Sequence, residues 1–190
     1  MAQDTGGVEV VGPLYDDAKA TYTTLVDVNH IVSSLFDMVN VPTGVWIDEE
    51  GQIVRWNEGT YATKHKLDGF PFGTDRYTPA VRDWVKNGAD SEFAMTSEAM
   101  AERFTAPSED ESLAEPTFRL GVYFHQTGDE KRANRYWEEA QRLNPGSWNY
   151  HRQDWSFTPE EANKNWMKKV GQLDGKPYYE PLDLPKPLAP

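Results

Sequence analysis

The sequence contains no cysteine. That excludes disulfides, cysteine-ligated zinc or iron–sulfur centres, and any thiol nucleophile carried by this chain. No apolar run approaches the 18 residues of a membrane-spanning helix, and mean hydropathy is −0.74. The opening MAQDTGG has neither the basic patch nor the apolar stretch of a secretory signal, so no signal peptide is expected there; the compartment stays open, with the cytoplasm slightly favoured. Positive charge is scarce: 19 Lys and Arg against 31 Asp and Glu leave a net charge of −12. Phosphate binding runs on Lys and Arg, so neither nucleic acid nor an anionic membrane is an expected partner. Histidine is sparse as well. His30, His65, His125 and His151 share no metal-ligand spacing and read as surface or capping residues, so no metal is expected. Asp48-Glu49-Glu50 lacks the register of a calcium loop and reads as a turn. No phosphate-binding, dinucleotide-binding or nucleophile-elbow motif occurs, and no cofactor is expected.

What the sequence does have is length enough for one full domain or two small ones, at 190 residues. Its 14 glycines and 13 prolines describe a folded chain rich in loops. Val8, Val11, Leu14 and Tyr15 share a helical face near the start. The β-branched run over 21–28 predicts a strand, and Asn29 a cap for a helix over 30–39. The clearest segment is a β-hairpin, with strands over 44–48 and 52–56 joined by a turn at Gly51. Residues 57–77 read as loop. Thr78-Pro79 opens a helix ended by Gly88, and a short helix follows over 97–104. The acidic stretch 107–112 is the candidate domain boundary. Beyond it, 113–145 reads as two antiparallel helices turning at Gly128, and Thr158-Pro159 starts another that runs to about Val170. The aromatic, polar stretch 148–157 reads as a cap on the helix pair. The proline-rich end, 176–190, reads as extended on the surface.

Asp27, the segment ending Asn40-Val41-Pro42-Thr43, and then Val45-Trp46-Ile47-Asp48-x-x-Gly51-x-Ile53-Val54 together resemble the C-terminal half of a thioredoxin-fold redoxin. The nearest type is the TlpA/ResA-like, peroxiredoxin-related group, and the resemblance covers about residues 5–90. It implies that Pro42 follows a cis peptide bond. It also implies that the loop Asn40–Thr43 lies exposed on the face where the missing unit would dock, and that Val41, Pro42 and Thr43 face the redox pair and bind the substrate backbone. From the residues alone, Pro42 could equally be a trans-proline opening a strand. A complete thioredoxin fold carries its Cys-x-x-Cys on a preceding β-α-β unit, and this sequence contains no such unit. No catalytic residue is therefore expected in this chain. Some bacterial relatives, known for a WAxxUG-type motif, carry selenocysteine at the active position. A UGA codon read as stop, with a restart at Met1, would explain the missing unit and the missing cysteine together; an ordinary truncation is the alternative.

Leu120, Gly121, Phe124, Gly128, Ala133, Trp137, Ala140 and Pro145 keep the offsets of one tetratricopeptide repeat. That implies either a peptide groove or a plain structural hairpin. Trp148 to Phe157, with Lys176-Pro-Tyr-Tyr-Glu-Pro, is similar to a C-terminal extension of the same redoxin relatives. The expected fold class is α/β, a partial thioredoxin-like fold with an all-α, tetratricopeptide-like extension. Expected domains are 1–106, a thioredoxin-like domain lacking its first β-α-β unit; 113–175, helical; and 176–190, the tail. A short sheet of about three strands is expected in the first. The expected function is that of the C-terminal part of a thiol or selenol oxidoreductase or peroxidase, inactive by itself, with a protein or peptide thiol or disulfide as partner. The alternative is a non-catalytic interaction module.

Overall fold

The computed structural model describes residues 1–67 and 70–185. It is mixed α/β, about 49% helix and 10% strand, so helices carry most of the packing. In chain order the elements are β1 (Ala2–Gln3), α1 (Gly7–Asp17), β2 (Val26–Asp27), α2 (Ile31–Leu35), β3 (Thr43–Ile47), β4 (Ile53–Glu58), β5 (His65–Leu67) and β6 (Phe70–Phe72). Then follow α3 (Tyr77–Asn87), α4 (Ser97–Ala101), α5 (Glu109–Gln126), α6 (Glu130–Leu143), α7 (Trp148–Ser156) and α8 (Pro159–Val170). Contacts divide the chain into two units, each discontinuous in sequence. The first is Met1–Val39 with Pro107–Gly171; the second is Asn40–Ala106 with the chain from Gln172 onward. Composition had pointed instead to a linear division at 107–112.

The single three-stranded sheet is not formed. Three separate two-stranded ladders stand in its place: β1–β2 parallel, β3–β4 and β5–β6 antiparallel. Of the strand expected over 21–28, only Val26 and Asp27 pair, because β1 offers only Ala2 and Gln3 as partners. The loop expected over 57–77 contains the end of β4 and the β5–β6 hairpin. Gly69, counted as a loop residue, lies outside the described residues. Helix α2 is shorter than its apolar spacing suggests. Its first-turn N–H groups, Ile31, Val32 and Ser33, donate to the Asp27 carboxylate at 2.9, 2.8 and 3.1 Å, so Asp27 rather than Asn29 caps it. It stops at Leu35 because Asp37 takes φ 46°, and the Met38 and Asp37 N–H groups close back on Ser33 and Ser34 carbonyls.

The first unit is organised by α5 and α6. Ser108 and Glu111 form a capping box at the start of α5, which therefore begins inside the acidic stretch read as a break. Gly128, at φ 80°, makes the turn to α6. The two helices meet over Ala114, Phe118, Val122, Ala133, Trp137, Ala140 and Leu143. Gly121 is required by the close approach, since a Cβ there would sit 2.3 Å from the Trp137 ring. Residues 148–156 form a true helix, α7, whose Tyr150 enters the same core and stacks on Phe118 at 4.6 Å. Its leading N–H groups, Trp148 and Asn149, donate to the Val39 carbonyl.

The second unit is built on the β3–β4 hairpin. Its turn is held by Asp48 Oδ1, which accepts from Glu50 and Gln52 N–H, with Gly51 at φ 77°. Trp46 stacks on Trp84 of α3 at 5.0 Å and donates its Nε1–H to Tyr77 Oη at 2.8 Å. Val54, Ala80 and Leu184 complete the core. The tail is thus not merely extended on the surface: through Leu184 it is part of this core. Asp183 pulls it in, accepting from Arg55, Asn57 and Arg103, each at 2.9 Å. Among the described residues no helix is long and apolar enough to cross a membrane.

Candidate functional site

The segment Asn40-Val41-Pro42-Thr43 leads into β3, and the Val41–Pro42 bond is cis, as the resemblance implied. Its expected exposure is not observed. Asn40 is 1% exposed, and Val41, Pro42 and Thr43 are half-buried. The tail is the reason. Asn40 Nδ2 donates to the Tyr178 carbonyl at 3.1 Å, and Tyr179 Oη donates to the Val41 carbonyl at 2.9 Å. Tyr61 Oη stands 2.9 Å from the same Tyr179 hydroxyl, and the Glu180 N–H meets Glu58 Oε2 at 3.4 Å. The loop also satisfies itself. Val41 N–H donates to Asn40 Oδ1 at 2.9 Å, and Thr43 Oγ1–H to the Asn40 carbonyl at 2.7 Å. Thr60 N–H donates to the Pro42 carbonyl at 3.3 Å.

Sequence reasoning found the Asn40–Thr43 loop but missed that Tyr178 and Tyr179 close over it. The signal was present in the Pro-Tyr-Tyr-Glu-Pro stretch, whose distance in sequence hid its target. Burial alone would raise the Asp183 pKa, but the Asn57 amide and the Arg103 and Arg55 guanidinium groups outweigh it and hold the carboxyl below its ordinary value.

In the first unit, the histidine reading needs correction at His30, which is 3% exposed. Gln153 fixes its protonation. Gln153 Oε1 accepts from Thr5 N–H at 3.2 Å while its Nε2 donates to Ser156 Oγ at 2.8 Å, so Oε1 faces His30 Nε2 at 2.8 Å. Nε2 therefore carries the proton, and Nδ1 accepts from Gln3 Nε2 at 2.5 Å. Burial lowers the His30 pKa, against the opposing effects of Gln153 and Asp27. A neutral imidazole held on both sides by amides, with its ring edge-on to Phe118, is a packing element. Among the described residues no three His, Asp or Glu side chains are placed to hold a metal ion. No family model matches the chain, and neither does any curated protein or solved structure.

Proposed function

We propose that this chain is the C-terminal, substrate-facing part of a thioredoxin-like thiol or selenol oxidoreductase or peroxidase, extended by a tetratricopeptide-like helix pair. The observation that carries the reading is the element order: a strand and short helix, the Asn40–Thr43 loop, a β3–β4 hairpin turning on Asp48 and Gly51, and then helix α3. The α5–α6 pair, with Gly121 against Trp137 and Ala133 and Ala140 in the seam, supports the repeat-like part.

The reacting sulfur or selenium belongs to a preceding β-α-β unit of the parent protein. On a disulfide, its anion attacks one sulfur and releases the other as a thiolate; a dithiol then resolves the mixed disulfide, leaving as its own disulfide. On a hydroperoxide, the anion bonds to one oxygen as the O–O bond breaks, and the alkoxide takes a proton from water. Two thiols then reduce the oxidised centre, giving their disulfide and water. The 190-residue chain, without such an atom, has no turnover of its own.

The test begins with the DNA upstream of Met1, translated through any in-frame UGA. A further β-α-β unit with Cys or a recoded UGA, and turnover of a disulfide or peroxide by the extended protein with cysteine in place, is the expected result. A ribosome site at Met1 with no such frame overturns it and leaves the interaction module, whose partner would be a protein.

A further inference from the structure

We infer that the Asn40–Thr43 site acts on a small disulfide or hydroperoxide and not on an extended polypeptide, an inference that rests on the redox reading above. A polypeptide laid along such a loop is recognised by strand addition, which needs free main-chain N–H and C=O groups on the receiving edge. Here the Val41 N–H and the Asn40, Val41 and Pro42 carbonyls are already used. The Val41 N–H goes to Asn40 Oδ1, and the Val41 carbonyl accepts from Tyr179 Oη. Pro42 has no N–H, and its carbonyl accepts from Thr60 N–H. The Asn40 carbonyl takes the Thr43 hydroxyl, and Thr43 itself is paired with Glu58 across the hairpin.

The tail is not loosely placed over this edge. The Tyr179 ring rests on Gly59, where a Cβ would come within 3.1 Å of it. Four residues further on, Asp183 is held by Arg55, Asn57 and Arg103, and Leu184 is buried with Trp46 and Val54. Arg76 donates to the Leu184 and Pro185 carbonyls as well. A polypeptide would have to displace Tyr179 against all of these anchors. A small molecule reaches a reacting atom beside the loop without pairing to its main chain, so the tail selects by size.

The experiment uses the parent protein with cysteine at the active position. It compares kcat/KM for tert-butyl hydroperoxide and 2-hydroxyethyl disulfide with that for insulin, dithiothreitol being the reductant. The expected result is that the better small substrate exceeds insulin by about 100-fold or more. Tyr179→Phe, which keeps the ring on Gly59 and frees the Val41 carbonyl, is expected to raise the insulin-to-small-substrate ratio roughly three- to tenfold, the scale of one net hydrogen bond. Insulin turned over as well as the small substrates overturns the inference while leaving the redox reading in place. An unchanged ratio in a Tyr179→Phe protein that still melts cooperatively overturns it too. No turnover of any of the three removes the redox reading and this inference together.

Discussion

In the first unit the buried ring of His30, 3% exposed, has as partners the uncharged amides of Gln3 and Gln153. In the second a charge is buried as deeply: Arg55, 3% exposed, holds the Phe93 carbonyl at 2.6 Å and Asp183 at 2.9 Å, with its guanidinium over the Trp46 ring. Both arrangements satisfy every strong donor they bury, which is what makes burial tolerable. They differ in what they recruit. The amide lattice joins β1, α2 and α7 of one unit, and the guanidinium draws in a tail more than a hundred residues away. They differ also in the apolar surface beside them. The tail closes the core of the second unit, whereas in the first Val8, Leu14, Leu25, Ile31 and Leu35 stand in solvent, Leu35 at 77% exposure.

The largest effect that sharpens this contrast is expected at Phe118, fully buried between His30 and Tyr150. Phe118→Ala should cost about 3–5 kcal/mol in urea unfolding, since it removes the ring on which the histidine and the α7 tyrosine both rest. Asp183→Ala should cost about 3 kcal/mol, at the lower end for a broken pair because Asp183 is itself half-exposed, and it leaves Arg55 buried without a carboxylate, with the Phe93 carbonyl and a 3.5 Å contact to Asn57 Oδ1 remaining. Adding Arg55→Met to Asp183→Ala removes the unpaired charge and should recover part of that loss.

Acid separates the units in the opposite sense. His30 and His151 both titrate below the ordinary histidine value because of burial; Lys169 adds to the effect at His151, which is brought down to about 4. A depressed histidine binds its proton more readily when unfolded, so its stability contribution is full above pH 6.5 and is lost as pH falls toward the folded value. Asp37, Glu115 and Asp154 have values raised by partial desolvation in the same unit and act the other way, their contribution being lost as pH rises above 4. Comparing the protein with His30→Gln isolates the histidine: the variant should show a flatter stability profile as pH falls below 6.5. Asp183, held low, keeps its contribution until pH falls below 3.8. The smallest effect is Tyr179→Phe, about 1 kcal/mol or less, read as a drop of a few degrees in melting temperature.

The β3–β4 hairpin, α6 and α8 were legible because their signals are local: alternation, a turn glycine, a proline in the first turn; α3 was found too, but it starts at Tyr77 after Arg76, and Thr78 lies inside it with its hydroxyl on the Ala62 carbonyl. The fate of 21–28 was not, because a strand exists only where a partner strand offers groups to pair with, and β1 offers two residues. Helix α2 misled because Asp37 adopts a left-handed conformation that apolar spacing does not reveal. The tail was misread for a similar reason. Its prolines announced extended backbone, but Asp183 finds Arg55 and Arg103 only in three dimensions, and so the cover on the Val41 carbonyl could not be read from the residues around Pro42.

Those exposed apolar residues of the first unit give the most direct test of the proposed parent enzyme. If a β-α-β redox unit precedes this chain and rests on α1, β2 and α2, it covers Val8, Leu14, Leu25, Ile31 and Leu35. Amide hydrogen exchange over residues 7–17 and 31–35, measured for the 190-residue chain and for the upstream-extended protein, reads that cover directly. The account expects exchange there to slow by at least about tenfold in the extended protein, while the β3–β4 hairpin changes little. Equal exchange in the two proteins would contradict it.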